Sequence, residues 1–350
     1  MHHRTLCKNR PLLAQSGSRL LLCSLVTFAM SQVLAGCVSQ RADQVLVRKP
    51  GKAHYEPPAA IASTAATHWS YAFMSAVAYE SSFYETLDQG VLNQDVLNQT
   101  ATAVAQGNRL SPTPQAQAAG TCPDFGTTLR RLDWQYWPVG FSTPKAEEAA
   151  RKHHLQVHVF AHRDGQTLEV VVAFGGTNPR NVWDWLSNLR WLIPWHDDEY
   201  TLVVKDFAGA FQGELQRRLK AQGISESEVV VKTVGHSLGG GLAQQFAYAA
   251  KQRPGDIGVA QVYAFDPSPV TGFYSVDKEI RDANRKGLQT DRAFEAYEIL
   301  SYLRWITAYV VTPSAESAAI RGVRYHVLTT QDGIKSHSIT DLACALYSAQ

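Results

Sequence analysis

The chain predicts an α/β fold, a mainly parallel sheet with helices on both faces, and three observations carry that expectation. Through the second half, apolar runs of strand type alternate with segments of helical period. Val229-Val230-Val231-Lys232-Thr233-Val234 is β-branched at five of six positions, as suits a buried parallel strand. That strand runs through Gly235-His236-Ser237-Leu238-Gly239 into Gly240-Gly241-Leu242-Ala243-Gln244-Gln245-Phe246-Ala247-Tyr248-Ala249-Ala250, a helical pattern led by small residues.

The elements follow in order. Arg4, Lys8, Arg10 and Arg19 form a basic lead, and Leu20 to Val33 is apolar but too short to span a bilayer comfortably. Leu34-Ala35-Gly36-Cys37 closes it and resembles the lipobox of bacterial lipoprotein signal peptides. The resemblance implies a signal peptide over 1–36, cleavage before Cys37, and palmitate or a similar acyl chain on that cysteine. An ordinary signal peptide with small residues at its cut site is the alternative. Val38 after the cysteine, where an aspartate would direct inner-membrane retention, implies the outer membrane. Residues 37–65, with Pro50, Pro57 and Pro58, read as a flexible tether, and 66–350 as the folded domain.

Within that domain, Trp69, Ala72, Phe73, Ala76 and Val77 recur at helical spacing from His68 to Tyr79. Leu87 to Thr121 is polar and reads as loop. His154 to Phe160 and Leu168 to Phe174 are strand-like around an Asp164-Gly165 turn, which predicts a hairpin. Phe207 to Leu219 is helical in period. Strands are expected at Val259 to Phe265, Ala293 to Tyr297 and Val323 to Leu328, and a closing helix from Ser338.

The 350 residues carry a formal net charge of +2, which points away from nucleic acid, and no internal repeat is visible. Of five cysteines, Cys7 and Cys23 leave with the signal and Cys37 is acylated. Cys122 and Cys344 remain, either as one disulfide or as two unrelated buried thiols. His153, His154, His158 and His162 lack the spacing of a zinc site, and His196-Asp197-Asp198-Glu199 is the kind of acidic loop end that water solvates. No metal and no cofactor are expected.

Strand, G-x-S-x-G and helix in succession make a nucleophile elbow, so Ser237 is the candidate nucleophile. A serine hydroxyl needs a base, an acid to orient that base, and donors for the oxyanion. Only His326 and His337 follow Ser237. His326 lies within an apolar alternation, where a histidine is more often structural, whereas His337 sits in a loop just before the last helix. Placement favours His337. Upstream, Val170 to Phe174 runs into Gly175-Gly176-Thr177, a corner whose backbone N–H groups can point into a site, and Trp183-Asp184-Trp185-Leu186-Ser187-Asn188-Leu189 follows.

From Val157 to the C-terminus these motifs resemble the fungal-type class 3 lipases, with strand corner, signature helix and elbow in that family's order. The resemblance implies an α/β-hydrolase-type sheet and hydrolysis of carboxylic esters of lipids, acylglycerol or phospholipid, through an acyl-serine. It implies oxyanion N–H groups from Thr177 and Leu238, with Asn188 supporting where the family usually has aspartate. Gly175 replaces the family's usual arginine. Trp191, Leu192, Ile193 and Trp195 stand where related lipases carry a lid, so they line a lid or groove wall, or else anchor a buried loop. A non-catalytic membrane-anchored envelope protein, or a thioesterase or peptidase with the same triad, are the alternative functions. The implied partners are a lipid or other ester substrate and the membrane holding the anchor. Two carboxylates compete as the triad acid. Asp266 opens Asp266-Pro267-Ser268-Pro269 just past a strand, where sites in open sheets gather. Glu298 comes one strand later, and the family's register puts Asp266 at a glycine position and Glu298 at the acid position. That register favours Glu298.

Overall fold

The structure, a computed structural model, describes residues 41–52, 54–79, 122–123, 125–152, 155–176, 206–269, 271–301 and 319–350. The signal peptide with Cys37 and the loop expected from Leu87 to Thr121 lie outside these residues. The chain forms β1 (Gln44–Arg48), β2 (Ala59–Ala60), α1 (Ile61–Val77), α2 (Phe125–Arg131), β3 (Gln135–Trp137) and α3 (Pro144–Lys152). The hairpin β4 (Val157–Asp164) and β5 (Thr167–Phe174) follows, then α4 (Ala208–Gln222), β6 (Val229–His236), α5 (Leu238–Ala249) and β7 (Val259–Phe265). Helix α6 (Lys278–Asn284), β8 (Gln289–Glu295), β9 (Ala319–Tyr325) and α7 (Ile339–Ala349) complete the described elements.

Nine strands make one sheet in the order β2-β1-β9-β8-β7-β6-β5-β4-β3. Strands β5 to β9 are parallel neighbours, flanked by antiparallel pairings of β4 with β5 and of β1 with β9. This is the mainly parallel α/β sheet that the sequence predicts. The continuous apolar run of β5 is explained by burial on both faces. Val170, Val172 and Phe174 join Phe207, Phe211, Leu215 and Phe246 of the α4–α5 side. Val171 and Ala173 face the other way, into Phe73, Met74, Phe265, Leu342 and Leu346 of the α1–α7 side. Truncating a core aromatic such as Phe246 to alanine costs about 3–5 kcal/mol by cavity reasoning.

The tether expected over 37–65 needs correction, because part of it belongs to the fold. Val45 and Val47 alternate into the core, and β1 pairs with β9 through Leu46↔Arg324 and Val47↔Val323. An open edge on β9 accepts any segment with that alternation. Helix α1 likewise begins at Ile61, ahead of the expected His68. Strand β8 starts earlier than Ala293 because Thr290 and Asp291, polar in the sequence, are buried within it. Cys122 and Cys344 form a disulfide across 222 residues of sequence, tying the segment ahead of α2 to α7. Chain-entropy reasoning makes a closure of that length worth about 5 kcal/mol.

Strands β6, β7, β8 and β9 run in the same direction, so the turns that follow them gather at one sheet edge. Ser237, Asp266, Glu298 and the loop to His337 all lie on those turns.

Candidate active site

Ser237 occupies the single residue between β6 and α5 and has φ 55° and ψ −123°. A side-chain residue adopts so strained a conformation only where its surroundings over-determine it. They do so here. The Ser237 N–H donates to the Phe265 carbonyl at 3.0 Å, and the Ser237 carbonyl accepts from Gly240 at 3.0 Å and Ser268 at 2.9 Å. The following helix can approach only because its second residue is glycine, since a Cβ on Gly239 would run into the Phe174 carbonyl. Leu238 opens α5, and the first turn of a helix has N–H groups with no intrahelical acceptor. Leu238, expected as an oxyanion donor, thus carries its N–H in that first turn.

The opposite wall is the corner after β5. Gly175 donates to the Gln156 carbonyl at 2.9 Å, and a Cβ on Gly176 would strike the Tyr79 hydroxyl and approach the His236 carbonyl to 2.8 Å. The two glycines are therefore required by close packing against α1's end and against the elbow. Thr177, Asn188, Trp191, Leu192, Ile193 and Trp195 lie outside the described residues.

His337 ends a short 3-10 turn directly before α7, whose N-cap Ser338 accepts from the Asp341 N–H at 3.3 Å. The loop ahead of it is built on Asp332, whose Oδ1 accepts from Ile334 at 3.0 Å and Lys335 at 3.3 Å. Glu298 is fully buried, and its Oε2 lies 3.0 Å from His337 Nδ1 while accepting from the Leu300 N–H at 2.8 Å. A backbone bond from Ile299 to the Gly333 carbonyl at 3.1 Å ties the two loops together. An ionised carboxylate at this distance favours the imidazole tautomer that carries its proton on Nδ1.

Asp266, the competing acid, is also fully buried but does other work. Its Oδ1 accepts from the Glu295 N–H at 3.0 Å and its own N–H donates to the Ala293 carbonyl at 2.8 Å, which stitches the ends of β7 and β8. Its φ is 38°, a turn conformation that aspartate tolerates better than most residues. His326, the rival base, lies just past β9 with its ring edge-on to Tyr297 at 5.2 Å. Burial, with help from Arg324, pushes its pKa down.

Sequence reasoning missed three groups at this edge, His236 and Glu295 buried and Tyr79 half-buried. His236, inside the elbow motif, binds the Tyr79 hydroxyl through Nδ1 at 2.6 Å, and its ring lies 4.6 Å from that of His337. Tyr79 also donates to the His236 carbonyl at 3.3 Å. Burial pushes the Tyr79 phenol well up, with the Asp266 charge adding to it. Glu295 accepts from the Val327 N–H at 3.1 Å, and burial pushes its carboxyl up to about 7. The only signal for His236 was its place beside the nucleophile, and for Glu295 its place at a strand end.

Residues 140–257 match the model of a Tle-like phospholipase domain, described as phospholipase-like. The match takes in Ser237 but ends before Glu298 and His337. A search of curated proteins finds no match. Among solved structures the chain is similar to lipase II from Rhizopus niveus, at 13% identity over 82% of this chain and 88% of that one, TM-score 0.39. It is similar to the Rhizomucor miehei lipase propeptide complex at 14% identity, over 88% and 86%, TM-score 0.39. The lipase from Rhizopus microsporus var. chinensis shows 16% identity over 82% and 90%, TM-score 0.37.

Proposed function

We propose that this chain is a serine hydrolase of lipid carboxylic esters, working through an acyl-serine on Ser237. The observation that carries the reading is the 3.0 Å pairing of His337 Nδ1 with buried Glu298 at the sheet edge that also presents the strained Ser237. The phospholipase-like match over the elbow region supports a lipid substrate, and within that class it favours phospholipid over acylglycerol.

The chemistry follows from the roles. His337 Nε2 takes the Ser237 proton as Oγ bonds to the acyl carbon. The oxyanion accepts from the Leu238 N–H and, by the family resemblance, from Thr177, steadied by Asn188. His337 then returns the proton to the leaving alcohol as the ester C–O bond breaks. A water molecule, activated by the same imidazole, cleaves the acyl-serine and releases the carboxylic acid. Glu298 keeps the imidazole oriented and stabilises the imidazolium formed in both halves. By the family resemblance, Trp191, Leu192, Ile193 and Trp195 would serve as lid or groove wall, with a buried loop anchor as the alternative.

Cys37 anchors the chain by acylation to a bacterial envelope, in the outer membrane. The support is the Leu34-Ala35-Gly36-Cys37 sequence after a basic and apolar leader. Several acyl chains on one cysteine bind membrane nearly permanently, where a single chain is marginal. Wild-type protein should incorporate labelled palmitate and Cys37→Ser should not; an unmodified, soluble wild type refutes the anchor.

The activity is tested with a fluorophosphonate probe and a panel of p-nitrophenyl esters, phospholipid and triolein. Wild type should label on Ser237 and hydrolyse esters, and phospholipid should exceed triolein. A folded wild type that neither labels nor cleaves any ester overturns the reading.

A further inference from the structure

Around the proposed base His337, two side chains that the hydrolysis does not use converge on it. His236, Asp266 and His337 are all buried, and one donor atom from each lies within 4.8 Å of the others. We propose that these three residues form a binding site for a divalent transition-metal ion, zinc in particular, whose occupancy withdraws His337 from the triad and switches hydrolysis off. The inhibitory half of this statement rests on the proposed function; the binding half does not.

Each ligand is held by a partner on its far side, as ligands in zinc sites are. His337 Nδ1 is paired with Glu298 at 3.0 Å, so the coordinating atom is Nε2. Asp266 Oδ1 accepts from the Glu295 N–H at 3.0 Å, so the coordinating atom is Oδ2. His236 Nδ1 lies 2.6 Å from the Tyr79 oxygen, while Tyr79 donates to the His236 carbonyl at 3.3 Å. The tautomer that suits both contacts carries its proton on Nδ1, which leaves Nε2 as the coordinating atom. His236 Nε2 and Asp266 Oδ2 face each other at 3.9 Å.

Two imidazoles and one carboxylate are a zinc-type donor set, one that also suits copper, nickel and cobalt but not magnesium or calcium, which require more oxygen ligands. Ligand atoms around tetrahedral zinc stand about 3.3 Å apart. The His236–Asp266 pair, 3.9 Å apart, must close by about 0.6 Å, and the widest separation, within 4.8 Å, by up to about 1.5 Å. The charges fit as well: the metal's two positive charges meet the carboxylates of Asp266 and, behind His337, Glu298. Three protein ligands leave a fourth position for water. A metal on Nε2 occupies the lone pair that must accept the Ser237 proton, so the bound form cannot act as general base.

The test uses the full chain in detergent, stripped of metal with a chelator and titrated with Co²⁺ and Zn²⁺. One Co²⁺ should bind per chain with the intense visible absorption of a tetrahedral site and be displaced by Zn²⁺. Ester hydrolysis should fall with the same Zn²⁺ midpoint, recover on chelation, and ignore Mg²⁺. Asp266→Asn, which tolerates the same backbone conformation, and His236→Asn should each raise the Co²⁺ midpoint more than tenfold. Tyr79→Phe should raise it about tenfold through loss of the outer hydrogen bond. Zinc sensitivity of each variant is read against its own metal-free rate, with melting curves confirming the fold. Metal binding that is absent from wild type, or unchanged in Asp266→Asn, overturns the site. Tight binding by a chain that cleaves no ester upholds the site and overturns the proposed function. Brisk hydrolysis untouched by zinc that binds upholds the proposed function and overturns the inhibitory half.

Discussion

Two histidine–carboxylate pairs in this molecule have nearly the same length and very different surroundings. His337 Nδ1 meets Glu298 at 3.0 Å, and His68 Nε2 meets Asp291 at 2.9 Å. The second pair lies under α1, against the middle of the sheet. The remaining nitrogen of His68 is committed to the Tyr325 hydroxyl at 2.6 Å, and its ring is packed edge-on against Tyr263 and Phe265. Asp291 is further bound by Arg321. Burial alone would raise its carboxyl, but the hydrogen bonds from His68 and Arg321 overcome that and hold it below the usual range. The first pair sits on loops at the carboxyl edge, and its ring is next to that of His236, the residue before Ser237. A histidine and an acid at bonding distance are thus no signature of catalysis. What separates the pairs is the element that carries the ring: a helix packed on the sheet for His68, an edge loop beside the elbow for His337.

The largest difference should appear when each histidine is removed. Ser237→Ala and His337→Ala should lower kcat for ester hydrolysis by about 10⁴–10⁶, leaving only binding and oxyanion stabilisation. His68→Asn should leave kcat per folded molecule within about threefold, because it touches no reacting group. Equal losses in kcat from both histidines would erase the distinction drawn here.

The acids should divide the same way, with smaller effects. Glu298→Gln should cost about 10²–10⁴ in kcat by allowing the wrong imidazole tautomer. Asp266→Asn, which leaves the His337–Glu298 contact in place, should cost less than about tenfold. Steady-state kinetics at saturating substrate decide between them, and the reverse ranking would make Asp266 the acid.

Asp291→Asn should instead act on stability. It leaves Arg321 beside an uncharged partner, and Arg321 is only partly exposed. Breaking a fully buried pair costs about 3–5 kcal/mol, so with partial solvent access about 2–3 kcal/mol is expected. In a domain of this size that is a fall in Tm of about 4–10 °C, seen by calorimetry. Glu298→Gln should move Tm less than Asp291→Asn.

What the sequence made legible tracks local chemistry. The elbow could be read because strand, glycines and helix are contiguous, and the hairpin because Asp164-Gly165 marks its own turn. The proposed base His337 was reached by elimination and by its loop. Glu298 needed a family register, since nothing local distinguishes it from Asp266. The His68–Asp291–Arg321 group was not legible at all. Its members come from α1, β8 and β9, and their polarity hid the start of β8 instead of announcing a buried network. Strand β1 was missed for the opposite reason. Its alternation was visible at Val45 and Val47, but the prolines after it and the leader before it suggested a tether.

Glu295 sharpens the comparison from another side, as a buried carboxyl that backbone N–H groups hold in place of a paired cation. Burial is the main cause that pushes it up to about 7, against lesser lowering by the N–H groups of Val327, Ala296 and Leu328 and by Arg324. A folded-state value raised above the unfolded value of 4.5 means that the native state binds the proton more tightly. The stability this contributes is complete below pH 4.5 and is lost as pH rises through about 7, amounting to ~3 kcal/mol at most. Asp291, held below its usual range, runs the other way: its contribution is present at neutral pH and is lost in acid. His158, which burial pushes down to about 4, also loses stability as pH falls below 6.5. Glu295→Gln mimics the protonated carboxyl and retains an oxygen to accept from Val327. Urea unfolding at pH 5 and pH 8 should therefore find the variant close to wild type at the lower pH and more stable at the higher. Asp291 and His158 are common to both proteins, so their titrations cancel in the difference, and a difference that does not grow between the two pH values would mean that Glu295 is already ionised in the folded chain.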